Sequence, residues 1–186
     1  MRYAIGPRKE LGMRTIFNVL GPLTNPASAP RQVLGVYSEH LVKPMAQVLQ
    51  KLGSQGAMVV HAEDGMDEIS IGSATSVAEL KEGNINCYSV KPSDYQLDVA
   101  DLKALKVGNA AESLAMVQRV LANEPGPARD IVALNAGAAI YVGGFANDHA
   151  EGVKMASSLL ADGSAEKKLQ DLIDCSNSCA ESAGAD

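Results

Sequence analysis

Gln32-Val33-Leu34-Gly35-Val36-Tyr37, then His40 to Leu52, then Ala57-Met58-Val59-Val60-His61 is the stretch on which the fold turns. The first run is a short apolar strand, the second an amphipathic helix closed by Gly53, and the third a second apolar strand that reads as buried. Strand, helix and strand in that order predict a parallel pair joined by a right-handed crossover.

Downstream, a loop from Ala62 to Ser70 leads to two short strands, Ser76 to Leu80 and Ile85 to Val90. The tight link Lys81-Glu82-Gly83-Asn84 makes them an antiparallel hairpin. Helices follow. One runs from about Ala110 to Asn123, with Asn109 and Glu112 spaced as a capping box. Another carries Pro127 in its first turn and ends at Gly143-Gly144. A third starts near Asp148 with Glu151 three residues on, and a last amphipathic helix covers Ala165 to Ile173. The stretch from Ala133 to Val142 is apolar nearly all round, which marks a central, buried helix. The expected fold is α/β, a mixed and mainly parallel sheet with packed helices. Upstream of Pro30 the chain reads as short helices and turns, with Thr15 to Leu20 a helix ended by Gly21-Pro22.

A chain of 186 residues makes one sizeable domain. Its net charge of -6 argues against a nucleic-acid backbone or an anionic membrane surface as partner. Aromatic residues are 4% with no Trp, too few for a base-stacking platform. No stretch approaches the ~20 apolar residues of a membrane span, and the amino terminus has no apolar signal core. The three cysteines, Cys87, Cys175 and Cys179, form no disulfide framework, so a cytoplasmic location is expected. Cys175 and Cys179 would share a helix face, either as a metal-binding or oxidisable pair or as two free thiols. Residues 176–186 are small, polar and acidic, and read as a disordered tail.

Elimination leaves no catalytic side chain to name. His40, His61 and His149 lack metal-ligand spacing, and no nucleophile elbow or Walker loop is present. None of the 17 glycines forms a G-x-G, so a dinucleotide fingerprint is also missing. Two segments remain. Arg8 to Pro26 sets Arg8 and Arg14 beside an apolar helix, either as guanidinium forks for a carboxylate or as a solvated helix end. Glu63-Asp64-Gly65-Met66-Asp67-Glu68 follows a strand directly, where α/β sheets bind their ligands. Adjacent Asp67 and Glu68 suit a hard, oxygen-liganded ion such as Mg²⁺; the other reading is a solvated acidic turn.

Taken together, the two segments resemble the anthranilate phosphoribosyltransferase family. Arg8-Lys9-Glu10-Leu11-Gly12-Met13-Arg14-Thr15-Ile16-Phe17-Asn18-Val19-Leu20-Gly21-Pro22-Leu23-Thr24-Asn25-Pro26 is similar to its signature at nineteen consecutive positions. Gly65-Met66-Asp67-Glu68 resembles its acidic metal motif, and Leu134-Asn135-Ala136-Gly137-Ala138-Ala139 another of its segments. The likeness extends from Met1 to about residue 175. It implies a nucleoside-phosphorylase-like phosphoribosyltransferase of tryptophan biosynthesis, joining anthranilate to phosphoribosyl pyrophosphate with Mg²⁺ and releasing pyrophosphate. By position, Arg8 binds the anthranilate carboxylate, Gly21 and Pro22 line the anthranilate channel near a hinge, and Asp67 and Glu68 hold Mg²⁺ on the diphosphate.

The family also has an upstream helical domain, a glycine-rich diphosphate loop and a homodimer surface that is largely upstream. On this reading residues 1–25 are a remnant of the helical domain and hinge, and residues 26–175 are the carboxy-terminal α/β domain. The chain is then expected to be inactive alone. Two alternatives are a non-catalytic remnant or binding module of the same fold, and a related phosphorylase-like enzyme with another acceptor.

Overall fold

The structure, a computed structural model, describes residues 17–24 and 26–183. Four strands, β1 (Arg31–Gly35), β2 (Gly56–Ala62), β3 (Thr75–Lys81) and β4 (Asn84–Val90), form one sheet in the order β1-β2-β3-β4. Among the described residues six α-helices accompany them: α1 (Phe17–Leu23), α2 (Val42–Lys51), α3 (Ala110–Leu121), α4 (Pro127–Gly143), α5 (His149–Ala161) and α6 (Ser164–Ala183).

Strand β2 alternates its apolar side chains between two covered faces. Ala57 and Val59 join Leu34, Ala78 and Leu80 under α2, which contributes Val42, Met45, Ala46 and Leu49. Met58 and Val60 join Val77 and Val90 under α4 and α5, which contribute Leu134, Ala138, Val142 and Val153. Each large apolar side chain removed from water in these layers adds about 1.5–3 kcal/mol. The result is three layers, with α2 on one side of the sheet and α4 with α5 on the other.

The parallel pair is as expected, with Arg31 opposite Gly56 and Gly35 opposite Val60. The α/β class and the mixed sheet hold too, but the weighting toward parallel pairing does not. β2 pairs antiparallel with β3, and β3 antiparallel with β4. No helix lies between β2 and β3 to carry a crossover, and the two-residue link between β3 and β4 can only reverse the chain. Glu82 and Gly83 both have positive φ, 50° and 76°, the geometry that suits a twisted hairpin.

Helix ends follow local chemistry. Asn109 Oδ1 accepts the Glu112 N–H at 2.9 Å, and Asp148 Oδ1 accepts that of Glu151 at 2.8 Å. Both glutamates reach back one residue past the cap, taking the N–H of Gly108 and of Asn147, each at 2.7 Å. At the other end of α4, Gly144 adopts φ 87°, and its N–H bonds to Tyr141 while that of Phe145 bonds to Ile140.

Two expected ends are corrected. Helix α1 does not stop at Gly21-Pro22 but runs through Pro22 to Leu23. There the Thr24 hydroxyl takes over, donating toward the carbonyls of Leu20 and Gly21. Helix α6 does not stop at Ile173 but continues to Ala183, so residues 176–183 are helical and not a disordered tail. No Gly or Pro interrupts it, and Gln170 bonds to Asp174 one turn on at 2.8 Å. Cys87, Cys175 and Cys179 are free and exposed. Among the described residues no helix is long and apolar enough to cross a membrane.

Helices α4 and α5 touch backbone to backbone. A Cβ on Gly152 would lie 2.2 Å from the Gly137 carbonyl oxygen, and one on Gly137 would lie 2.6 Å from the Val153 nitrogen. Neither obstacle is a flexible side chain. Gly152→Ala should therefore destabilise the fold by about 2 kcal/mol in urea unfolding, overpacking outweighing the ~1 kcal/mol that Ala gains in helix propensity.

His149 is buried at 7% exposure, with Nε2–H donating to the Leu134 carbonyl at 2.9 Å and Nδ1 accepting from the Tyr95 hydroxyl at 2.7 Å. Burial holds its imidazole below the ordinary pKa. The unfolded chain takes up a proton near pH ~6.5 and the folded chain only at lower pH, so this contribution is complete above ~6.5 and is lost as pH falls. Unfolding midpoints at about pH 7.5 and about pH 5.5 should differ more in the unmodified chain than in His149→Gln.

Candidate functional site

The acidic loop lies over the carboxyl ends of the parallel pair. Beneath it, the Val36 N–H donates to the Val60 carbonyl at 3.0 Å, and His61 Nδ1–H donates to the Val36 carbonyl at 2.8 Å. Gly35, the last residue of β1, presses directly on the loop. A Cβ there would lie 1.6 Å from the Asp67 carbonyl oxygen, so only glycine allows this approach.

Within the loop the four carboxylates have different tasks. Asp64 is spent on the turn: one oxygen accepts the Met66 N–H at 3.2 Å and the other accepts the Ser70 hydroxyl. Gly65 takes φ 93° to make this turn. The Ala62 N–H donates to the Met66 carbonyl at 2.9 Å, closing the loop base. Asp67 and Glu68 are exposed, as is Glu63. Among the described residues no Lys or Arg forms an ion pair with any of them.

Sequence reasoning assigned no role to Asn135 of α4, which holds the loop in place. Its Oδ1 accepts the Ile69 N–H at 2.9 Å, and its Nδ2 donates to the carbonyls of Ile69 and Ile131, both at 2.9 Å. Asparagine on an apolar helix was the available signal, since a half-buried amide in such a place needs partners. Beyond the loop, Ser70 is buried and its N–H donates to the Thr75 hydroxyl at 3.1 Å.

Glu68 stands at the rim of an apolar groove of about 420 Å³ between α3 and α4, lined by Met66, Met116, Val117, Val120 and Ile131. Partial burial there, and then the neighbouring Asp67 charge, hold the Glu68 carboxyl above its ordinary pKa. Such a pair gains from a cation that cancels its repulsion. Two carboxylates are hard oxygen donors that fit Mg²⁺, which binds through one or two carboxylates and fills its shell with water and phosphate oxygens. No third His, Cys, Asp or Glu completes a protein-only metal cluster among the described residues.

The other expected site residues do not join this pair. Arg8 lies outside the described residues. Gly21 and Pro22 sit on α1, and Pro22 faces a cavity of about 290 Å³ lined by Leu23, Gln32, Leu49 and Leu52. That cavity is at the amino end of β1, and the acidic loop is at its carboxyl end, a strand length away. A second polar cluster was not foreseen either. Glu79 accepts from the hydroxyls of Tyr88 and Tyr141, and Lys81 Nζ donates to the Tyr141 oxygen at 3.1 Å. Burial pushes both tyrosines up in pKa, so they stay protonated donors.

Residues 1–166 match the glycosyl transferase family, a/b domain. The chain is 56% identical over 179 residues to the anthranilate phosphoribosyltransferase of Thioalkalivibrio sulfidiphilus, covering 96% of this chain and 53% of that one. With the anthranilate phosphoribosyltransferase of Nitrosomonas europaea it shares 52% identity over 177 residues, covering 95% of this chain and 52% of the relative. The chain thus spans about half the length of the curated relatives it matches. Among solved structures, anthranilate phosphoribosyltransferase from Thermus thermophilus superposes with a TM-score of 0.85 at 43% identity, covering 92% of this chain and 50% of that one. The Saccharomyces cerevisiae enzyme in complex with PRPP and Mg gives a TM-score of 0.81 at 27% identity, with the same coverage.

The origin of the raised Glu68 pKa can be checked without any ligand. Asp67→Asn should bring it down toward the ordinary carboxylate range, leaving only the part due to burial, as followed by carboxyl carbon NMR titration.

Proposed function

The chain belongs to the glycosyl transferase family with the a/b domain, and from that premise we propose that it is the carboxy-terminal portion of an anthranilate phosphoribosyltransferase. The whole protein would transfer phosphoribose from phosphoribosyl pyrophosphate to anthranilate in the cytoplasm, releasing pyrophosphate. The observation that carries this reading is the exposed Asp67-Glu68 pair over the carboxyl ends of β1 and β2, in a chain 56% identical to an enzyme of that name.

Each residue has a part in the proposal. Asp67 and Glu68 would hold Mg²⁺ against the donor's diphosphate. Bound there, Mg²⁺ supplies positive charge against the leaving group. Arg8 would clamp the anthranilate carboxylate with its two-pronged guanidinium, fixing the amine near the anomeric carbon. The amine is largely unprotonated near neutral pH, so positioning does much of the work. Gly21 and Pro22 would line the acceptor channel. That role calls for α1, within the expected remnant and hinge of residues 1–25, to lie differently in the full-length protein.

The 186-residue chain alone should give no measurable transfer, because none of its glycines forms a G-x-G cradle for the donor's phosphates. Loss of anthranilate fluorescence with donor and Mg²⁺ is the assay; clear turnover by the pure chain would overturn this expectation. With a family amino-terminal segment fused ahead of it, Arg8→Ala should raise the anthranilate KM far more than the donor KM. Losing a charged bidentate partner costs on the order of 2–3 kcal/mol, roughly 30- to 150-fold. Lys at that position should restore only part. In the same fusion, Asp67→Asn with Glu68→Gln should cut turnover and raise the Mg²⁺ needed for half-maximal rate. An unchanged Mg²⁺ dependence would return the loop to a solvated acidic turn.

A further inference from the structure

Twelve residues run between the end of β2 and the start of β3 with no helix or strand of their own. Such a segment has many conformations open to it, and two carboxylates side by side repel into the most separated of them. The loop's own hydrogen bonds tie its two ends. Asp64 closes on Met66 and Ser70, and the Ser70 amide closes on Thr75. Between them, among the described residues, only Asn135 bonds residues 66–69 to a helix, and it does so at Ile69, directly after Glu68. On the opposite side the Asp67 backbone is packed on Gly35, where a Cβ would lie 1.6 Å from the Asp67 carbonyl oxygen. The pair therefore stands between a wall and a pin.

The pin needs an amide. Ile69 offers one N–H and one C=O to α4, and Ile131 offers a second C=O. Asn135 meets them with one acceptor and both N–H donors, all at 2.9 Å, so its orientation is set by the network. Aspartate has the same shape but sets a carboxylate against two carbonyls. Alanine leaves the N–H and C=O of Ile69 without this partner, while the Ile131 carbonyl keeps the backbone bond of the helix.

We propose that Asn135 is a positioning residue for the Asp67–Glu68 pair, holding Ile69 to α4 so that both carboxylates are presented at a fixed spacing to a divalent cation carrying a diphosphate. The proposal rests on the metal reading of the pair given above.

The test uses the 186-residue chain with Mn²⁺ and inorganic pyrophosphate. Paramagnetic broadening of the amide signals of residues 66–69 reports the bound metal, and amide hydrogen exchange reports the pin. Asn135→Asp and Asn135→Ala should each weaken the Mn²⁺–pyrophosphate affinity by about tenfold, the low end of the loss for groups bonded to a ligand itself, because Asn135 acts through the neighbouring Ile69 backbone. The Ile69 amide should exchange about tenfold faster in both, while that of Val59 in the sheet centre is unchanged. Equal acceleration at Val59 would mean a general loss of stability and would overturn the positioning role. Affinity equal to that of the unmodified chain in Asn135→Asp would overturn it as well. If the unmodified chain binds no better than Asp67→Asn with Glu68→Gln, the metal reading falls and the proposal falls with it. Should neither Asn135 variant fold, the unmodified chain decides: an Ile69 amide exchanging as fast as that of Asp67 overturns the pin, and a slower one supports it.

Discussion

Strand β2 has to be covered on both faces at once. Ala57 and Val59 point to one side and Met58 and Val60 to the other, and all four are at most 1% exposed. A strand of this kind is stable only as the middle of a layered fold, because exposing either face returns apolar area to water. Helix α2 closes one side with Val42, Met45, Ala46 and Leu49, a single stripe at helical spacing. On the other side α4 is the cover, and α4 in turn is too apolar to face water itself. It is therefore roofed by α5, with the two glycines at the crossing letting the backbones meet.

Helix α4 consequently links layers that are distant in the chain. Its Gly137 meets α5, its Asn135 grips the acidic loop, and its Val142 carbonyl accepts from Arg31 at the start of β1 at 3.0 Å. Any change that shifts this helix moves the loop with it. Glu68 stands at the rim of the apolar groove beside the same helix. Its raised pKa is thus a consequence of the packing as well as of the neighbouring charge.

The division of labour among the loop carboxylates has an electrostatic logic. Asp64, although exposed, has both oxygens engaged, one by a backbone N–H and the other by a serine hydroxyl, and so is committed to the turn. Asp67 and Glu68 stay at the surface side by side, and partial burial together with the Asp67 charge holds the Glu68 carboxyl above its ordinary pKa. A fold that spends glycine and asparagine contacts on holding two like charges together gains nothing in stability from the pair itself.

Much of this could be read along the chain. The α2 stripe, the cap residues Asn109 and Asp148, the Gly143-Gly144 stop and the two-residue hairpin are local rules acting over a few residues. The acidic loop at a strand end belongs with them, since Asp67 and Glu68 are neighbours in sequence. What the chain could not disclose depends on partners far away in it. Asn135 and Ile69 are 66 residues apart, and nothing near Asn135 says that its amide meets a loop backbone. Likewise nothing in the apolar run around Gly35 says that the Asp67 backbone lies against it. The direction of β3 was likewise set by how its chain returned to β2, and helix α1 ran past Gly21-Pro22 because Thr24, not Pro22, supplied its end. Local sequence determined which elements form and where charge gathers. Tertiary packing decided which backbones touch, because those contacts depend on the joint placement of segments whose own residues carry no trace of each other.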